Sequence, residues 1–425
     1  METQSVHEVC RQMELDDRSG ETQISKYVSF NFRETIEKIE AYINSKHTSG
    51  ETDYLGRKKP FFNIVTAAVN IWYRATDIDR KNILIGATKS KQTPLVFIQN
   101  ILLDNWMKKI KFGVFLNDWG RTLAKYCSAV SKFVEKDGTL YCEVVPWNRI
   151  ICDAVNFEEN PVIEKLWFTP AQLRKEKRYD QEMVEKLIEN QTTRKTMSGL
   201  NKDNKSGFIL VYEIHGEFSK WNLTGEESDE DTYSQQMHVV SFTAKKDNRK
   251  EFDDYTLFKG KEEKSPYLLD HLIKEDDRVI GIGAVENLFQ AQWMVNDSAK
   301  QIKDQLELAS KMLFQTADGN FVGQNALSDI ENGDILIHSL NNPLTQLNNK
   351  PDIAAMQSFG QQWQSLGNQI NGIADAMIMQ AKSGTAWRQT QAELQEAHSL
   401  FEIMIENKGL AIERMLREFI IPFGK

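Results

Sequence analysis

Residues that could do chemistry are present, but they do not combine into a recognisable catalytic pattern. The sequence has no GxxxxGK(S/T) phosphate loop, no HExxH zinc motif and no GxSxG nucleophile motif. Gly281 and Gly283 begin a pattern typical of dinucleotide sites, but Glu286 stands where the third glycine belongs. The pattern also opens a long predicted helix with no βαβ unit around it, so we do not expect a dinucleotide site.

The titratable residues are equally dispersed. Four of the histidines fall in separate predicted elements: His215, His238, His338 and His398. The neighbouring carboxylates Asp276 and Asp277 cannot share a helix face, because only residues three or four apart do so. The four cysteines form no CxxC pair, which predicts reduced thiols rather than a metal site. We therefore predict that the protein is not an enzyme and uses no metal or cofactor.

Length and charge narrow the class of protein further. A chain of 425 residues can bury more than one core, so two or three domains are expected. The formal net charge of −9 argues against a protein that coats DNA or an anionic membrane. No apolar run approaches the roughly 18 residues of a membrane span. The polar first 20 residues lack the apolar stretch of a secretory signal.

Periodicity predicts an α+β domain followed by a helical shaft. The Asp137-Gly138 turn predicts a hairpin, and Thr169 with Gln172 predicts a capping box. Helices are expected over 31–44, 61–74, 95–112, 119–129, 171–190, 285–312, 351–379 and 386–421. Strands are expected over 81–88, 129–135, 139–145, 148–152, 162–168, 334–340 and, as an antiparallel meander, 208–218, 237–244 and 255–259.

The helix predicted over 351–379 has an unusual composition. It is rich in asparagine and glutamine, and Gly360, Gly367 and Gly372 lie inside it. Each interior glycine costs a helix roughly 1 kcal/mol relative to alanine. Such a helix is expected to bend or to pack closely on copies of itself. The alternative is a partly buried helix in an ordinary bundle.

In its order of elements the chain resembles the portal proteins of tailed double-stranded DNA bacteriophages, of a podovirus-like and crAss-like kind. The segment 144–178 (VVPWNRIICDAVNFEENPVIEKLWFTPAQLRKEKR) is similar to the wing segment of that family, and 279–306 (VIGIGAVENLFQAQWMVNDSAKQIKDQL) to its first stem helix. The run 332–338 (NGDILIH) resembles its clip strand. The segment 382–422 (KSGTAWRQTQAELQEAHSLFEIMIENKGLAIERMLREFIIP) resembles its tunnel-loop exit and wing helix.

The resemblance implies a portal architecture with seven parts. They are an N-terminal polar and helical segment (1–53), an α+β wing (54–279), a first stem helix (280–312), a small β clip (313–350), a second stem helix (351–379), a tunnel loop (380–386) and a long kinked wing helix (387–425). In the family a crown domain often follows that last helix, so a crown is expected to be absent from this chain or truncated.

The resemblance also implies which residues do what. The tunnel loop that narrows the DNA channel would be Gln380, Ala381, Lys382, Ser383, Gly384 and Thr385, with Lys382 nearest DNA phosphate. Packing between subunits in the stem would involve Gly360, Trp363, Gly367, Ile370, Trp293 and Asn296. The clip surface for terminase and adaptor would include Phe321, Val322, Asp334, Ile335, Ile337 and His338.

The function implied is a ring, expected to hold twelve copies, at one vertex of the capsid. Its partners would be further copies of itself, the major capsid protein, the terminase large subunit, a head–tail adaptor or tail proteins, and double-stranded DNA passing without sequence specificity. It would lie in the virion, and in the host cytoplasm during assembly, with no membrane partner. Residues 281–380 contain ten acidic and four basic residues, a charge that suits a channel through which a polyanion slides.

Two other classes of protein compete with this interpretation. A nuclease with a helical arm would need carboxylates that the fold brings together. A monomeric helical scaffold or adaptor would need a sustained coiled coil, against which the interior glycines argue.

Overall fold

The computed structural model describes residues 5–87, 89–197, 207–225, 233–244, 252–310, 313–315, 341, 345–347, 352–373 and 387–423. Helices and antiparallel sheets both contribute, so the mixed α and β composition is confirmed. No helix in these ranges is long and apolar enough to cross a membrane.

Twelve α-helices occur in the described part of the chain. They are α1 (Val6–Ser19), α2 (Phe32–Ile43), α3 (Val65–Ala75), α4 (Thr93–Lys109), α5 (Phe112–Tyr126), α6 (Pro170–Lys175), α7 (Gln181–Met197), α8 (Trp221–Thr224), α9 (Phe289–Ala309), α10 (Ile353–Ile370), α11 (Trp387–Met415) and α12 (Ile421–Phe423). A π-helical turn, Leu416–Ile420, joins the last two helices.

The strands of the same ranges form two sheets and two small ladders. They are β1 (Thr22–Ser25), β2 (Val28–Phe30), β3 (Ser128–Lys136), β4 (Thr139–Val145), β5 (Ile150–Ile151), β6 (Val162–Phe168), β7 (Ile209–Ser219), β8 (Tyr233–Ala244), β9 (Phe252–Lys261), β10 (Tyr267–His271), β11 (Leu313–Gln315) and β12 (Thr345–Leu347). The order is β10-β3-β4 in one sheet and β5-β6-β7-β8-β9 in the other. Strands β7, β8 and β9 are the predicted meander, and every neighbouring pair is antiparallel.

Local sequence signals account for several of these elements. Asp137 and Gly138 both adopt positive φ, at 51° and 66°, which a two-residue hairpin turn requires. The predicted capping box is confirmed, since Thr169 and Gln172 satisfy each other's backbone at the start of α6. A second capping box, Ser5 with Glu8, begins helix α1, which the sequence analysis did not predict.

Several predicted elements are wrong in extent or type. The helix predicted over 119–129 spans Phe112–Tyr126 as α5, because Ser128 and Ala129 pair with β10 in strand β3. Residues 81–87 form a 3₁₀ turn and extended chain instead of a strand, because the Asn100 side chain binds both backbone groups of Ile85. The helix predicted over 171–190 is broken into α6 and α7, because Tyr179 turns into the core and Asp180 caps α7. The helix predicted over 351–379 ends at Ile370, because a turn with Gly372 at φ 65° closes it.

One large core runs through most of the chain. It includes Trp72, Trp119 and Trp147, all nearly inaccessible to solvent. Phe32 and Ile36 belong to the same cluster, so packing is continuous across the predicted boundary at residue 53. Two smaller clusters cover the five-stranded sheet, one beneath α6 and α7 and one beneath α1.

A close backbone crossing accounts for the two glycines that resemble a dinucleotide motif. Cys127, in the left-handed conformation between α5 and β3, lies directly against Gly281 and Gly283. The Gly281 N–H donates to the Ser128 hydroxyl at 2.9 Å. A Cβ added at Gly283 would lie 2.6 Å from the Lys125 carbonyl oxygen and 2.9 Å from the Cys127 nitrogen. These glycines therefore permit close contact between two chain segments.

We expect Gly283→Ala to lower the free energy of unfolding by about 1–3 kcal/mol, because rigid backbone atoms would have to move. Urea denaturation followed by circular dichroism measures this. Gly86→Ala is the matched control, since no atom lies within 4 Å of a Cβ there. Equal stability of the two variants would contradict the crossing described here.

Candidate functional site

The two helices of the predicted stem pack against each other in antiparallel fashion. Gly360 of α10 lies next to Ser298 of α9, and Gly367 lies next to Leu288 and Ala291. The two helices therefore run in opposite chain directions. At the far end β11 and β12 pair antiparallel, which closes the predicted clip at its base.

The interior glycines of α10 permit this close packing within a single chain. A Cβ at Gly367 would lie 2.6 Å from Leu288 Cδ2 and 3.1 Å from Ala291 Cβ. A Cβ at Gly360 would lie 3.4 Å from Ser298 Cβ. A bulky residue at Gly367 would therefore disturb the chain itself, so it cannot report on packing between subunits.

Amide side chains on α9 hold an extended segment of the chain. The Gln292 Oε1 accepts from the Ile64 N–H at 3.0 Å, and its Nε2 donates to the Phe62 carbonyl at 2.7 Å. The Asn296 Oδ1 accepts from the Phe62 N–H at 3.0 Å. Gln292 and Asn296 are both buried. The structure thus gives Asn296, predicted to pack between subunits, a role within the chain.

The C-terminal end of α10 is anchored in the core. The Trp72 indole N–H donates to the Asn371 carbonyl at 3.1 Å, and the Asn371 side chain donates to the Ala284 carbonyl at 3.1 Å. Asn287 Nδ2 donates to the Asn371 side-chain oxygen at 3.1 Å, and Ile373 is buried. The chain therefore leaves a fixed point as it enters the predicted tunnel loop.

Helix α11 is fixed to the same core. Phe401 packs edge-on against Trp72, with ring centroids 6.4 Å apart. The buried Lys408 ammonium donates to the Thr76 carbonyl at 2.6 Å and lies 5.4 Å from the centre of the Trp119 ring. Burial lowers the pKa of Lys408 to about 8. Both ends of the segment 374–400 are thus attached around Trp72.

The remaining predicted site residues divide into two groups. Trp363 is half-buried, while Trp293 and Ile370 are exposed. The other group lies outside the described residues and stays a prediction: Gln380, Ala381, Lys382, Ser383, Gly384 and Thr385 of the tunnel loop, and Phe321, Val322, Asp334, Ile335, Ile337 and His338 of the clip.

Charge is unevenly distributed over the helix pair. Helix α10 has no charged residue among its 18 positions. On α9, Asp304 and Glu307 form ion pairs with Arg57 at 3.1 and 3.0 Å. Arg57 also pairs with Asp53 at 2.8 Å. The surface of α10 is therefore neutral, and part of the acidic charge of α9 is compensated within the chain.

A buried ionic cluster, which was not predicted from the sequence, joins the two sheets. Lys132 of β3 contacts Glu164 of β6 at 2.6 Å and Glu213 of β7 at 2.7 Å. His215 contacts Glu213 at 2.9 Å and Glu262 at 2.8 Å. The Tyr267 hydroxyl of β10 donates to Glu164 at 2.9 Å. Glu213 and His215 lie two residues apart on β7, so their side chains share one face of the sheet. This spacing was the signal in the sequence from which their contact could have been predicted.

Opposite charges within this cluster set its protonation states. Burial acts to raise the pKa of Glu213, but the hydrogen bond from His215 and the charge of Lys132 outweigh it and lower that pKa to about 2. Burial acts to lower the pKa of His215, but its hydrogen bonds to Glu213 and Glu262 outweigh burial and raise that pKa. Lys132 and His215 thus each contact two carboxylates, which offsets the cost of burying their charges.

The nuclease interpretation needs carboxylates free to bind a metal ion. In this cluster Glu164 and Glu213 are both engaged by Lys132. Within the described ranges, no group of three or more His, Cys, Asp or Glu side chains has an arrangement that could hold a metal ion.

Neither the comparison of the sequence with models of known protein families nor the search of curated proteins finds a match.

We expect the free energy of unfolding to fall less toward alkaline pH in the His215→Gln variant than in the wild-type protein. The folded-state pKa of His215 lies above its ordinary value of 6.5, so its contribution is complete below that pH and disappears as the pH rises through the folded-state pKa. Unfolding free energies from urea titrations between about pH 6 and about pH 9 measure the change.

His238→Gln is the control, because the pKa of His238 shifts in the opposite direction to that of His215. Burial lowers the pKa of His238 in the folded state to about 4. The contribution of His238 to stability is therefore complete above pH 6.5 and disappears as the pH falls through its folded-state pKa. Identical pH profiles for the two variants would contradict the assigned charge states.

Proposed function

We propose that this chain is a phage portal subunit that assembles into a ring at one capsid vertex and conducts double-stranded DNA. The architecture is consistent with that role: an α+β body, an antiparallel stem pair, a β ladder at its far end and a long helix returning to the core. The observation that carries the proposal is the uncovered surface of α10.

That surface is an apolar stripe with no charge beside it. Phe359, Leu366 and Ile370 are 45%, 44% and 62% exposed, and their spacing of seven and four residues places them on one face. A helix exposed to water usually carries charged residues on its outer face, whereas α10 presents only apolar, amide and small side chains there. A face of this kind suits contact with neighbouring copies.

The anchored ends of the helices suit a channel that must not collapse. In the proposed ring, residues 380–386 would narrow the channel, with Lys382 near DNA phosphate. Asn371 before this loop and Phe401 after it both contact Trp72, which would hold the loop's position. A channel wall made by the neutral α10 would attract DNA only weakly, so that DNA slides.

The remaining partners follow from the same proposal. The clip beyond β11 and β12 would meet the terminase large subunit during packaging and a head–tail adaptor or tail protein afterwards. The body would contact the major capsid protein. The chain would act in the virion, and in the host cytoplasm during assembly, without enzymatic activity or a cofactor.

We expect the purified protein to form rings of about twelve copies, seen by native mass and negative-stain microscopy. Ile370→Lys should weaken each contact between neighbours about 10- to 100-fold, because it removes an apolar side chain that the ring would bury and adds a charge. The single chain should keep its circular dichroism spectrum, since Ile370 is exposed within it.

Leu15→Lys is the matched control, because Leu15 of α1 is 59% exposed, close to the value for Ile370. Normal rings from Ile370→Lys would remove α10 from the contact between subunits. A wild-type protein that stays monomeric at high concentration, including with capsid protein present, would favour the helical scaffold instead.

A further inference from the structure

The first half of helix α4 is an uncharged apolar rod that the described part of the chain leaves uncovered. Between Thr93 and Leu103 there is no charged residue. Leu95, Val96, Phe97 and Ile98 are consecutive, so their side chains point in directions about 100° apart around the helix. Phe97 is 67% exposed, and Leu95, Ile98, Ile101 and Leu102 are exposed as well. A helix that is apolar on all sides is normally buried.

This rod is held rigidly at its base. Leu103 and Met107 are buried, and the Trp106 indole N–H donates to the Leu140 carbonyl at 3.1 Å. The Asn100 side chain accepts from the Ile85 N–H at 2.8 Å and donates to the Ile85 carbonyl at 3.0 Å. The exposed apolar surface is thus already formed in the single chain and needs no rearrangement to bind.

A groove that could receive such a rod lies on α11 of the same chain. It has a volume of about 480 Å³ and is lined by Ile83, Leu84, Gly409, Ile412 and Leu416 among others. Gly409 interrupts a long helix, at a cost of roughly 1 kcal/mol relative to alanine. Apart from its chain neighbours and the backbone of its own helix, no described atom lies within 4 Å of the position its Cβ would occupy. Nothing described in this chain therefore explains the glycine, whereas a second helix packed on the groove would.

The charges that flank the two surfaces are complementary. Exposed Lys89 and Lys91 precede α4. On α11, Glu402 and Glu406 are exposed and share one helix face with Gly409, at spacings of four and three residues. Glu413 lies on the same face, but it pairs with Arg417 at 2.6 Å, and both residues line the groove. Opposite potentials favour docking of the rod against this face.

A symmetric contact between two α4 helices is disfavoured by the same reasoning. An antiparallel pair would place Lys89 and Lys91 of one copy near Lys109 of the other, and a parallel pair would place like ends together. Like charges brought together across an interface cost binding energy. The two surfaces also differ from each other, as a head-to-tail contact requires.

We propose that α4 of one copy docks into the α11 groove of the next copy, over Gly409. The occupant of the groove is a second copy of this chain, and the contact is head-to-tail, the type that closes into rings. The inference rests on the ring-forming part of the proposed function and adds a second contact, distinct from that of α10.

Cysteine crosslinking between different copies tests the contact. Ile98→Cys and Gly409→Cys proteins are prepared separately, mixed under assembling conditions and treated with a short bis-maleimide. A covalent dimer is expected from the mixture and not from either variant alone. Wild-type protein is the background control, because Cys10, Cys127 and Cys152 are buried and Cys142 is half-buried.

Four outcomes would count against the proposal in different ways. Rings that give no mixed dimer would overturn this contact and leave the ring itself intact. A dimer from Ile98→Cys alone would establish the symmetric pairing instead. A dye-labelled Ile98→Cys that is shielded in the monomer would mean that another segment of the same chain covers α4. Monomers under all conditions would overturn both this contact and the proposed ring.

A second variant separates folding from assembly. Gly409→Gln adds a good helix former in open space, so the single chain should melt at the same or a higher temperature. Its side chain would fill the groove, so ring formation should need at least about tenfold more protein. Ala171→Gln on the exposed side of α6 is the control. Normal assembly of Gly409→Gln would overturn the docking over Gly409.

Discussion

The contacts of Trp72 hold together the parts of the chain that are distant in sequence. Its side chain is almost completely buried, its N–H binds the Asn371 carbonyl at the end of α10, and its ring packs against Phe401 of α11. A buried indole N–H without a partner costs free energy, so this hydrogen bond holds the end of α10 against α3. The body, the helix pair and the last long helix therefore meet at one residue of α3.

Polar side chains position the elements around this point, and apolar packing supplies most of the stability. Gln292 and Asn296 bind backbone groups of the segment at Phe62 and Ile64, which lies against α9. Lys132 with its carboxylate partners joins the three-stranded sheet to the five-stranded one. Each group is buried and satisfied, so displacement of any one element would leave unpaired polar groups in the core.

Two surfaces that the described residues leave uncovered are ones that the proposed ring would use. Both α4 and α10 present large apolar side chains with few or no charges, whereas most other exposed helices, such as α7, are strongly charged. A soluble single chain gains nothing from such faces, since they expose apolar area to water. In the proposed ring, α4 would dock on α11 of the next copy in a head-to-tail contact, and α10 would make a separate contact between copies.

The sequence by itself determined several local elements and the mixed class of the fold. Asp137-Gly138 specified a hairpin, Thr169 and Gln172 specified a helix start, and alternation specified the meander of β7 to β9, because neighbours in sequence carry those signals. Only the tertiary structure decided that Gly367 packs against Leu288 of its own chain and that His215 lies between two glutamates. Such contacts join residues far apart in sequence, so their partners depend on how the elements are arranged in space, which local periodicity does not encode.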